Sequence, residues 1–110
     1  MQTTLVINSK GGSGKTTITT NIASYFASRN HKTAIMDYDP QGSSLHWLKI
    51  RSNSANPIHA ANAATQKGKL MRSVQMYLPE STEKLVIDSP AGAEGVLLQE
   101  IVRKADFILI

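Results

Sequence analysis

The chain has 110 residues, 41% of them hydrophobic and 18% charged, the make-up of one soluble globular domain large enough to bury a core. It contains no cysteine, which excludes disulfides, thiolate metal sites and cysteine-held iron–sulfur clusters within these residues, and no apolar run approaches the ~20 residues needed to cross a bilayer. Lys and Arg number 12 against 8 Asp and Glu, and the resulting +4 would suit a polyanion but is too small to argue for one.

The start of the chain runs directly into a strand-like segment, without the basic stretch and long apolar run of a secretory signal. Residues 3–7 form a β-branched apolar run bounded by Asn8 and a glycine-rich stretch, and read as a buried strand. From Lys15 to about Arg29 the spacing of Ile18, Ile22, Tyr25 and Phe26 predicts a helix with those four on its apolar face, broken at Asn30-His31. A second strand is expected over residues 33–37, stopped by Pro40 and Gly42. A short helix follows around Leu45, Trp47 and Leu48, then a polar loop over residues 52–57 and a small strand over residues 58–60.

Leu70, Met71, Val74, Tyr77 and Leu78 give helical spacing that Pro79 ends. Residues 85–87 lead as a strand into Asp88, Leu97, Leu98, Ile101 and Ala105 mark a helix, and a further strand begins at Phe107. Strands that are apolar throughout and alternate with helices imply a parallel sheet covered on both faces. The expectation is a single α/β domain spanning residues 1–110, and because Ile110 falls inside a strand, the N-terminal part of something longer.

The segment Lys10-Gly11-Gly12-Ser13-Gly14-Lys15-Thr16-Thr17 lies between the first strand and the first helix, the context a phosphate-binding loop requires. Glycines allow positive φ and bring backbone N–H groups to phosphate oxygens, and the helix start adds free N–H groups and the positive end of its dipole. Lys15 would reach the β- and γ-phosphates, and the Thr16 hydroxyl would ligate Mg²⁺. The strict loop pattern places glycine at position 9, where this chain has Ser9.

Asp37 and Asp39 follow the second strand and Asp88 ends the strand over residues 85–87. Ligands of open α/β sheets bind outside the carboxyl ends of the strands, so all three acids should converge on the phosphate loop. Carboxylates there hold Mg²⁺ through its waters or orient an attacking water. The alternative for each is an Asx turn or a helix cap. His31, His46 and His59 share no metal-ligand spacing and are expected at the surface or in loops. Trp47 is expected to pack against the sheet, Met71 and Met76 to fill core, and Lys67, Lys69 and Arg72 to form a solvated helix face.

With Lys10 preceding the paired glycines, the loop resembles the deviant Walker A motif of the ParA/MinD group of P-loop ATPases. The resemblance implies an ATP- and Mg²⁺-dependent ATPase fold, small here for a complete one, with a P-loop NTPase-type parallel sheet. It makes Lys10 the signature lysine that reaches the nucleotide of a partner across an ATP-sandwiched homodimer. Asp37-Tyr38-Asp39-Pro40-Gln41-Gly42 resembles the ParA switch I segment, which gives Asp39 the hydrolytic water and Asp37 the Mg²⁺ shell. Ile87-Asp88-Ser89-Pro90-Ala91-Gly92 is similar to Walker B and switch II, with Asp88 on a metal-bound water and Gly92 near the γ-phosphate. The Pro-Ala-Gly form is nearer MinD and the Asp-Pro-Gln-Gly form nearer ParA, and the match extends to residues 105–110.

The implied function is partitioning: an ATP-dependent dimer binds non-specific DNA, an activating partner or cargo adaptor triggers hydrolysis, and a plasmid, chromosome or protein assembly is positioned. The implied location is cytoplasmic and nucleoid-associated, with a membrane matrix ranked below DNA. The alternatives are a MinD-like membrane-cycling regulator and a small-molecule ligase or kinase using the same loop. An enzyme like the nitrogenase iron protein shares the loop but needs cysteine ligands that this chain lacks.

Overall fold

The computed structural model describes residues 1–7, 14–38, 43–51, 56–62, 78–89 and 95–109. Five strands and three helices follow one another in these segments: β1 (Gln2–Val6), α1 (Lys15–Ser28), β2 (Thr33–Asp37), α2 (Ser43–Ile50), β3 (Ile58–Asn62), β4 (Lys84–Asp88), α3 (Gly95–Lys104) and β5 (Phe107–Leu109). The strands make one sheet in the order β3-β2-β4-β1-β5, parallel at every pairing. The expected α/β architecture is therefore present, and the small strand at 58–60 extends to Asn62 and forms one edge. The helix expected over Leu70 to Leu78 falls on residues outside those described, apart from Leu78 itself.

The chain leaves β1 through α1 and passes β4 to reach β2. It leaves β4 through α3 and passes β1 to reach β5. Crossovers of one hand that travel in opposite directions place their helices on opposite faces of a sheet. Two cores result. Leu5, Ala34, Met36, Leu85 and Ile87 pack with Ile101 of α3 on one face, and Val6, Ile35 and Val86 pack with Ala23 of α1 on the other. Alternate residues of each strand divide between the two faces, as the two-residue period of a strand requires.

The apolar face of α1 differs from the one its spacing predicts. Ile22 and Phe26 pack against the core, but Ile18 and Tyr25 are 45% and 55% exposed, and the buried positions are Lys15, Thr19, Thr20, Ala23 and Ala27. Small residues let a helix approach a sheet closely, so the fully buried stripe follows Thr19, Ala23 and Ala27, with Ile22 and Phe26 packed beside it. Tyr25 lies instead beside Phe26 with the Arg29 guanidinium over its ring.

The end of α1 is built by Asn30. Its left-handed φ of 66° lets its N–H reach the Ala27 carbonyl at 3.0 Å while the His31 N–H reaches Phe26 at 3.1 Å, the paired bonds of a Schellman motif. On α2, Leu48 packs on the α1-side core, and Trp47 is half-buried with the Arg51 guanidinium over its ring. His46 and His59 are exposed, and His31 is half-buried in the α1–β2 turn. The Asp106 carboxylate accepts from the Thr3 N–H at 2.7 Å and its own N–H donates to the Thr3 carbonyl at 2.8 Å, which docks β5 beside β1.

Candidate functional site

The carboxyl ends of β1, β2 and β4 lie side by side, because the pairing register places Val6 and Asp37 on either side of Asp88. Both carboxylates belong to the same alternation as Val6 and Ile35, so they face α1. Both are fully buried. The helix that covers them starts at Gly14, whose φ of 82° is open to glycine at little steric cost, and the turn it makes admits Lys15 as the first helical residue. Among the described residues, no side chain caps this helix start. A helix start carries N–H groups and a positive dipole end of the kind that binds anions.

Lys15 is 4% exposed and turns inward. Its ammonium pairs with Asp88 Oδ1 and donates to the Ser89 carbonyl at 2.7 Å. The second oxygen of Asp88 accepts a 2.6 Å hydrogen bond from the buried Ser44 hydroxyl on α2. Ser89 closes the arrangement, because its hydroxyl donates to the Val6 carbonyl at 2.8 Å and its N–H reaches the same carbonyl at 3.3 Å. The ends of β1 and β4, the start of α1 and the start of α2 are thus tied together around one carboxylate.

Of the residues singled out from the sequence, Gly14, Lys15, Thr16, Thr17, Asp37 and Asp88 are brought to this one end of the sheet. Thr16 is half-buried and Thr17 exposed on the first turn of α1. Lys10, Gly11, Gly12, Ser13, Asp39 and Gly92 lie outside the described residues. Sequence reasoning does not single out Ser44 or Ser89. Ser89 carries a weak signal as a small polar residue next to Asp88. Ser44 carries none, since its contact spans 44 positions of sequence.

Tyr38, directly after Asp37, is buried in the α3-side core, and its N–H donates to the Asp88 carbonyl at 3.0 Å. Burial pushes its phenol from 10.0 up to about 12. A phenol raised above its unfolded value contributes stability that is complete below pH 10 and is lost as pH rises through 12. The stability difference between wild type and Tyr38→Phe in urea unfolding should therefore shrink by roughly 2 kcal/mol between about pH 9 and about pH 12. A difference that stays constant over that window would show that the buried phenol is not what is titrating.

A parallel sheet whose first strand is followed by a helix opening on a left-handed glycine and a lysine, with that lysine on the acid ending the neighbouring strand, defines a P-loop type nucleotide-binding α/β protein. The sequence profile of the CobQ/CobB/MinD/ParA nucleotide binding domain matches residues 4–105, and the chain belongs to that family. Among its relatives is maintenance of carboxysome distribution protein A of Halothiobacillus neapolitanus, 31% identical over 98% of this chain and 49% of that protein. Another is the chromosome-partitioning ATPase Soj of Treponema pallidum, 45% identical over 44% of this chain and 19% of that one. The chain spans about half the length of the carboxysome-distribution relatives it matches. A crystal structure of cobyrinic acid a,c-diamide synthase from Mycobacterium smegmatis with bound ADP and magnesium superimposes with a TM-score of 0.73, covering 98% of this chain and 58% of that one. Its 19% identity makes the likeness one of fold.

Proposed function

We propose that this chain is the ATP-binding part of a ParA-type partitioning ATPase, and that residues 1–110 belong to one nucleotide-binding domain. The observation that supports this most directly is the buried Lys15–Asp88 pair at the carboxyl ends of β1 and β4, beside a helix start that no described side chain caps. The relatives named for partitioning and distribution support the choice of cargo-positioning over other uses of the loop.

The donor set suits Mg²⁺, a hard cation that favours oxygen ligands and keeps several waters. Thr16 would ligate it through its hydroxyl, and Asp37 and Asp88 would hold its hydration shell. When bound, the ion supplies charge neutralisation on the phosphoryl oxygens. The chain's own residues do the rest. Gly11 to Thr17 cradle the phosphates with backbone N–H groups, and Lys15 turns from Asp88 to the β- and γ-phosphates. Asp39 orients the water for in-line attack, and Lys10 reaches the nucleotide of a second copy.

Gel filtration and ATPase assays with and without duplex DNA, on the full-length protein and its Lys10→Ala variant, test the reading. ATP-dependent dimers that bind DNA at low salt are expected of the wild type, and hydrolysis slowed by about 100-fold or more of the variant, the usual cost of removing one transition-state donor. Normal dimerisation and turnover in Lys10→Ala would remove the signature-lysine assignment. Wild type that ignores DNA but binds anionic vesicles would favour a MinD-like regulator. Monomers that turn over ATP only with a small-molecule acceptor would favour a ligase or kinase on this fold.

A further inference from the structure

Ser44 lies in none of the segments that resemble a nucleotide-site motif, yet its side chain is fully buried against the centre of this one. Its hydroxyl has one proton, and the 2.6 Å bond commits that proton to Asp88 Oδ2. Lys15 uses the other oxygen, Oδ1. The two donors therefore do not compete, and either can leave without displacing the other.

We infer that Ser44 is a positioning residue for Asp88: it holds Oδ2 so that Oδ1 can exchange the Lys15 ammonium for the hydration shell of a magnesium ion. The inference rests on the reading of this site as one for a Mg²⁺-nucleotide. Lysine is a point charge on a flexible stem, and nucleotide phosphates draw it away from Asp88. At that moment a fully buried carboxylate loses its counter-charge, which is costly unless another donor remains. The serine hydroxyl is that donor. A hydrogen bond to an ionised acceptor is among the stronger ones, and it fixes the rotation of the carboxylate. The same bond clamps the start of α2 to the end of β4.

Magnesium titrations of fluorescent ATP-analogue binding to the full-length protein, repeated in excess chelator, test the assignment in wild type, Ser44→Ala, Ser44→Thr and Ser44→Cys. Ser44→Ala should bind the analogue in chelator within about twofold of wild type and need about tenfold more Mg²⁺ for its half-maximal effect, as loss of a charge-assisted hydrogen bond predicts. Ser44→Thr, which keeps the donor, should restore the wild-type midpoint, and Ser44→Cys, a weak donor of similar shape, should fall between. Should Ser44→Ala not fold, the cysteine variant decides alone, and a wild-type midpoint there overturns the inference. So does an equal loss of affinity with and without Mg²⁺, which marks a purely structural role. Wild type that shows no Mg²⁺-dependent nucleotide binding overturns the functional reading and this inference with it. Wild type with such binding and a silent Ser44→Ala overturns this inference alone.

Discussion

Lys15→Met should destabilise the protein, measured without nucleotide, by about 3–5 kcal/mol, the usual cost of stripping one partner from a buried ion pair. The lysine is 4% exposed and Asp88 is fully buried, so no solvent replaces the lost ammonium. What remains is a carboxylate among apolar strands with Ser44 on one oxygen. Methionine nearly preserves the volume of the stem, which separates the charge effect from a packing defect. Adding Asp88→Asn should return most of the stability, because the amide keeps an oxygen for the Ser44 hydroxyl and carries no charge to be buried. Nucleotide binding should stay lost in both. Urea unfolding of the four proteins in a double-mutant cycle, with calorimetric titration of ATP, measures both outcomes. Additive losses in the cycle would mean that the pair contributes little and that Lys15 serves only the ligand.

Ile87→Ala should cost about 2–5 kcal/mol and Ile18→Ala less than about 0.5 kcal/mol, although the side chain removed is the same. Ile87 is fully buried at the middle of the sheet, between Leu5 of β1 and Met36 of β2 in register, and no water reaches the space it would vacate. Ile18 lies on the outward side of α1, and its truncation opens no cavity. Guanidinium unfolding midpoints of the two variants are the measurement. Similar costs at the two positions would place Ile18 in a contact that the isolated chain does not display.

Much of this site is legible in the amino-acid sequence. A lysine directly after a glycine-rich turn at a strand-to-helix junction, and acids ending two other strands, can converge in only one way in a parallel sheet, since its strands all point their carboxyl ends to the same side. Asp37 and Asp88 are accordingly paired in register, and Lys15 is on Asp88. The partners that complete the arrangement are not legible there. Ser44 and Ser89 are ordinary serines until the fold sets one on the carboxylate that ends β4 and the other against β1.

The apolar runs and their helix-forming intervals determined the alternation of strands and helices and the parallel sheet, because period and residue type are local properties. Tertiary structure decided the rest. Whether a helix buries its largest or its smallest residues depends on how closely it approaches the sheet, so α1 turned Ala23 and Ala27 inward and left Ile18 and Tyr25 outside. The Lys15 side chain, which the sequence marks as a phosphate ligand, is held by Asp88 in the folded chain. Sequence spacing shows which groups share an end of the sheet. Which of them pair there depends on burial, since a buried charge must take the nearest opposite one.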